Sequence, residues 1–128
     1  MTRINCGIKP ALLSNKHLLA EHREIKRIPN YVSKNYSKID KRSIPTKFSL
    51  GNGHVKFFYN KLQYLLNRYT SIYDECILRG FNITNYSGAW ENIPDDMMKN
   101  YTSTTEDATT VLNRLKERDI EFYKNLVL

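Results

Sequence analysis

Two cysteines, Cys6 and Cys76, are all that 128 residues contain, too few for a disulfide framework. That scarcity points to a reduced, intracellular compartment, where sequons such as those at Asn35, Asn82 and Asn100 carry no meaning. No apolar run approaches the roughly 18 residues of a membrane span, so an integral membrane protein is not expected. The opening residues lack the apolar stretch of a signal peptide, and a secreted protein is not expected either. No internal repeat and no low-complexity tract is present. HExxH and CxxC are absent, and His17 and His22, five apart, point to different helix faces. Gly51-Asn52-Gly53 lacks the Lys-Ser or Lys-Thr that would follow in a phosphate loop. No metal and no cofactor are expected. No strand pattern is convincing.

What is present is an ordinary globular balance, 41% hydrophobic and 26% charged. Residues 1–128 have room for one domain and no second core. The charge is the informative quantity. Net charge is +7, and residues 1–68 hold 14 basic and 3 acidic side chains, whereas residues 69–128 hold 6 and 10. A basic half on a small domain suggests a polyanionic partner, most often nucleic acid; a merely basic soluble protein is the plainer reading.

Three helical segments stand out. The first runs from Pro10 or Ser14 to Arg27, with Pro29 expected to end or kink it near Ile28. Residues 31–36 have the composition to resume a helical turn. Residues 37–53 read as a basic loop with Lys38, Lys41, Arg42 and Lys47. The second helix spans His54 to Arg79, its apolar residues recurring at three- and four-residue steps, with Gly80 as C-terminal cap. Residues 81–102 are irregular. Ser103-Thr104-Thr105-Glu106 has the form of a capping box that opens a third helix carrying Ala108, Val111, Leu112 and Leu115. The expected fold is mainly α: a single compact domain of three helices with long loops.

Glu21-His22-Arg23-Glu24-Ile25-Lys26-Arg27 is dense in charge. Arg23 and Arg27 stand at i and i+4, so a continuous helix puts both guanidinium groups on one face, which suits phosphate oxygens. Glu24 lies beside that face. An exposed, salt-bridged helix surface gives the same pattern. Cys76 falls on the apolar stripe of the second helix, which fits packing better than nucleophilic chemistry. Thr2 has a small side chain, which permits removal of Met1 and frees an α-amine with a pKa of about 7.7–8.0. A neutral amine attacks carbonyl-like carbon and forms Schiff bases; a frayed terminus is the plainer reading. With Met1 attached, the Thr2 nitrogen is an amide and no nucleophile.

Four co-linear blocks carry a specific resemblance. They are Met1-Thr2-Arg3-Ile4-Asn5; His17-Leu18-Leu19-Ala20-Glu21-His22-Arg23-Glu24 with Arg27; Pro45-Thr46 with the run Leu50 to Leu62; and Glu75 to Ile83. Over residues 1–83 the sequence resembles the phage-type pyrimidine-dimer DNA glycosylases, the endonuclease V family of dimer excision. The resemblance implies a metal-independent DNA repair enzyme with glycosylase and abasic-site lyase activities, acting as a monomer on damaged double-stranded DNA. Its catalytic residues fall on Thr2, the amine nucleophile, and Glu24, the carboxylate. Arg3, Arg23 and Arg27 fall on phosphate-clamping arginines, and His17 and Glu21 on supporting positions. Lys34, Lys41, Arg42 and Lys47 become candidate backbone contacts. A viral or phage source is implied, with the protein wherever that DNA resides. The family's aromatic, basic tail helps to read the lesion. Here Phe122-Tyr123-Lys124 keeps its start as candidate DNA contacts, then the chain departs with Asn125-Leu126-Val127-Leu128. Core packing is the other reading of Phe122 and Tyr123. The departure leaves another damaged or modified base, or abasic sites, open as the target; a non-catalytic DNA-binding module and a binder of RNA or acidic proteins are further alternatives.

Overall fold

Helices account for most of the backbone in the computed structural model, which describes residues 2–128, and no strand forms among them. Met1, on whose removal a free Thr2 amine depends, lies outside the described residues. The α-helices are α1 (Asn15–Glu24), α2 (Arg27–Asn35), α3 (His54–Phe57), α4 (Leu62–Leu78), α5 (Thr105–Arg118) and α6 (Ile120–Tyr123). The three expected helices correspond to α1, α4 and α5, and two of them are cut where the sequence pattern ran on. None is long and apolar enough to cross a membrane.

The first cut falls at Ile25-Lys26. Ser14 caps α1 by accepting the His17 N–H at 3.3 Å, but the helix stops at Glu24 and α2 begins at Arg27. Pro29 occupies the third position of α2, where its missing N–H would have had no intrahelical partner anyway. The proline therefore starts a helix rather than ending one. Arg23 and Arg27 consequently stand on different helices, and both are exposed.

The second cut falls at residues 58–61. Apolar spacing continues through it, but the distant segment near Met98 intervenes. Lys61 makes an isolated antiparallel bridge to Met98, and the first amides of α4, on Gln63 and Tyr64, both donate to the Lys99 carbonyl at 3.1 and 3.4 Å. A carbonyl from the 81–104 connection thus caps α4. At the other end, Gly80 (φ +83°) takes the left-handed conformation; its N–H donates to Ile77 O, and the Phe81 N–H donates to Cys76 O. Those two bonds are the double closure expected of a glycine stop. The cap of α5 is one residue later than the sequence suggested. Thr104 and Asp107 form the capping box, and Glu106 points outward to Lys47.

α4 carries the centre of the core, burying Leu62, Leu65, Tyr69, Ile72 and Cys76. α1 lies across it and α6 folds back on α5. The segment from Thr2 to Ile8 is threaded between these helices. Ile4, Cys6 and Ile8 are at most 1% exposed, and Thr2 is 9% exposed, so residues 2–8 are packed rather than frayed. Gly7 (φ +83°) lets this segment pass against α5; a Cβ there would stand 2.9 Å from the Ala108 Cβ.

Candidate active site

Three bonds set the backbone of the first residues. Ile4 donates its N–H to His54 Nε2 at 2.9 Å, while His54 Nδ1 donates to Ser49 O at 2.8 Å. Burial pushes the His54 imidazole down to about 4, so it stays neutral and keeps the lone pair that Ile4 needs. Arg3 Nη1 donates to Leu50 O at 2.8 Å. The 49–54 turn, chosen in the sequence for its glycines, is thus the support of the N-terminal segment.

Beneath that segment lies a buried charge chain. Arg68 of α4 donates to both carboxylate oxygens of Glu21 of α1, and to Ile8 O at 2.8 Å. Glu21 Oε1 also accepts from Asn5 Nδ2 at 2.8 Å, and Asn5 Oδ1 accepts from Arg114 Nη2 at 2.9 Å. Every polar atom of Glu21 therefore has a partner, as a carboxylate out of water requires. Glu21 supports geometry and is sealed from solvent at 2% exposure.

The chain ends at a hollow of about 160 Å³ lined by Arg3, Asn5, His17, Glu24, Arg114 and Arg118, among others. Glu24 is the one carboxylate in its lining and is 15% exposed at its side chain. Three guanidinium groups border it. Arg114 is depressed to about 10, by burial first and then by the nearby Arg3 and Arg118, and it remains a cation. Its Nη1 is buried with no hydrogen-bond partner. A second hollow, beside the first, is bordered by Thr2, Arg3, the 51–53 turn, Lys56 and Tyr59. Arg3 lines both.

The structure gathers Arg3, His17 and Glu24 in one hollow and places Thr2 in the adjoining one. Arg23 is exposed and lies 3.5 Å from Glu24, at the rim. Arg27 and Lys34 are exposed on α2. Lys41 is held by Asp96 and Tyr36, Arg42 by Asp40 at 3.4 Å, Lys47 by Glu106 at 3.5 Å and Lys124 by Glu121 at 3.2 Å. Those four are outside the two hollows and already carry carboxylate partners. Phe122 is 54% exposed. Tyr123, open in the sequence as a DNA contact or as core, is fully buried and bonded to Ser14 and His17, with α6 packed on α5.

Arg114, Arg118, Asn5 and His54 escaped the sequence reading. For the two arginines a signal existed, since they stand at i and i+4 on α5 beside the apolar stripe through Leu115. The acidic total of the second half of the chain masked it. Asn5 and His54 act through partners 16 to 109 residues away, a relation that spacing does not carry. A family model described as pyrimidine dimer DNA glycosylase matches residues 1–87, well over half of the chain and including the Thr2 segment, α1 and α4.

Proposed function

The chain belongs to the pyrimidine dimer DNA glycosylase family, and on that premise we propose that it excises cyclobutane pyrimidine dimers from duplex DNA and then cleaves the abasic strand. Membership makes it a DNA repair glycosylase; the substrate detail and the chemistry that follow are the proposal. With Met1 removed, the Thr2 amine adds to C1′ of the 5′ nucleotide of the dimer. The glycosidic C–N bond breaks and its electron pair leaves with the base. Opening of the sugar ring gives an imine between Thr2 and C1′. Loss of a proton from C2′ then expels the 3′ phosphate by β-elimination. No metal or cofactor enters these steps.

The observation that carries this reading is the pairing of one carboxylate with three guanidinium groups beside the Thr2 hollow. Glu24 is suited to stabilise the cationic sugar and iminium species and to move the C2′ proton. Arg3, Arg114 and Arg118, with Arg23 beside Glu24 and the exposed Arg27 of α2, supply phosphate contacts, so affinity falls steeply with salt. The burial of Tyr123 favours a second reading of the substrate. With one aromatic withdrawn from the tail, the same chemistry serves a different damaged base or an abasic site.

Glu24→Gln is expected to lower dimer excision by about 10²–10⁴-fold with DNA binding retained. Full excision by that variant refutes the role of Glu24. Borohydride should trap a covalent complex through the residue-2 nitrogen on an oligonucleotide bearing one dimer. Trapping only on an abasic site points to the second reading. Acetylation of the amine should abolish trapping on both.

A further inference from the structure

Tyr123 has no use in the chemistry above, yet its hydroxyl sits in a demanding place. The residue is fully buried. Its oxygen lies 2.9 Å from the Ser14 backbone nitrogen and 2.8 Å from His17 Nδ1, and the two rings stack at 5.6 Å. A backbone N–H only donates, so the phenol oxygen accepts from Ser14. The phenol's own hydrogen then needs an acceptor. His17 Nδ1 is the partner in place to receive it, because Ser14 Oγ bonds to the His17 N–H and ring rather than to Tyr123. Were Nδ1 protonated instead, its hydrogen would turn to the phenol oxygen or to Ser14 Oγ at 3.2 Å, and either way the phenol hydrogen would be stranded away from water, a costly arrangement. The Nδ1 lone pair is therefore occupied, and the ring hydrogen belongs on Nε2.

We propose that Tyr123 is a positioning residue that fixes His17 as the Nε2–H tautomer, so that the Glu24 hollow receives a neutral hydrogen-bond donor rather than a base. In its functional consequence this rests on the glycosylase reading: the donor would meet an oxygen of the bound strand, a phosphate or the opened sugar. Charge around the ring agrees with a neutral donor. Lys16 of α1 and Arg114 and Arg118 of α5 set positive charge near it, Asp119 opposes them, and Arg3 and Glu24 line the same hollow. Burial, then Lys16, holds the His17 imidazole below its ordinary value. Asp119 fixes α6 by accepting the Phe122 N–H at 3.2 Å, and so places Tyr123.

The test is a two-bond ¹H–¹⁵N correlation spectrum of the labelled full chain near neutral pH. His54 is the internal control, because its bonds require the opposite tautomer, hydrogen on Nδ1. A His17→Gln sample assigns the His17 signals. The expected result is an unprotonated Nδ1 and a protonated Nε2 on His17, collapsing to a tautomer mixture in Tyr123→Phe while the His54 pattern stays. A His17 protonated on Nδ1, or a tautomer unchanged in Tyr123→Phe, overturns the proposal. On dimer DNA, Tyr123→Phe should slow borohydride trapping about tenfold, the worth of one hydrogen bond. In a His17→Ala background it should cost nothing further. An equal loss in both backgrounds would make Tyr123 merely structural and overturn the proposal. If no dimer is processed at all, the dimer reading of the substrate fails while the spectra still decide the tautomer.

Discussion

The segments Thr2–Ile8 and Asp119–Leu128 both serve the Glu24 hollow, the first with Arg3 and Asn5, the second through Tyr123 and His17. They are held very differently. The first is tied by Arg3, Ile4, Asn5 and Ile8 to the 49–54 turn, α1, α4 and α5, through bonds that are mostly sealed from water. The second is anchored by the buried Tyr123 ring and the partly buried Leu126, with Phe122, Val127 and Leu128 exposed. Polar bonds spread over three helices constrain the backbone at many points; one buried ring and one half-buried side chain constrain it at few. In the proposed function this puts the rigid segment at the bond-breaking end and the adaptable one where the shape of a lesion is read.

The contrast is sharpest in stability. Glu21→Ala leaves the Arg68 guanidinium buried without its carboxylate and should cost about 3–5 kcal/mol in urea denaturation. A loss below about 1 kcal/mol would mean that the first segment is not anchored by this chain of charges. Acidification attacks the other anchor. The folded His54 value, about 4, lies below the ordinary 6.5, so the unfolded chain binds more protons between those pH values. Its stabilisation is complete above about pH 6.5 and is lost as pH falls to about 4, on the order of 3 kcal/mol. Denaturation midpoints measured from pH 7 to 4 should show this slope in the wild type and a shallower one in His54→Gln.

Gly7→Ala forces a Cβ against Ala108 at a positive φ and should cost about 1–3 kcal/mol. In the last segment the expected effect is smallest. Phe122→Ala should stay within about 0.5 kcal/mol of wild type by thermal melt, because half of its ring is already in water. A large loss there would erase the difference between the two segments.

The helix content and the core face of α4 were legible because one residue set, from Leu62 to Cys76, repeats with the helical period. The breaks were not. Periodicity passes through residues 58–61 without a mark, and only the carbonyl of Lys99, 36 residues from Gln63, stops the helix there. Pro29 was read as a stop because a proline looks the same before and inside a first turn. Of the candidate site, Arg3, His17 and Glu24 were named from the sequence and do share a hollow. Arg114 is not legible because the half of the chain that holds it is net acidic, and folding brings α5 across that division to Asn5. Tyr123 was legible as core or as contact, and only the fold of α6 decides for the interior.

The bond from Ile4 to His54 also acts as a short leash. The residue-2 nitrogen lies two residues before a fixed point, so its reach is at most about 7 Å. A group confined to a sphere of that radius is present at an effective concentration on the order of 1 M, before any gain from alignment. In the proposed function, an amine held at such a concentration meets the sugar far more often than a free one, and lengthening the leash by even a few residues would dilute it severalfold.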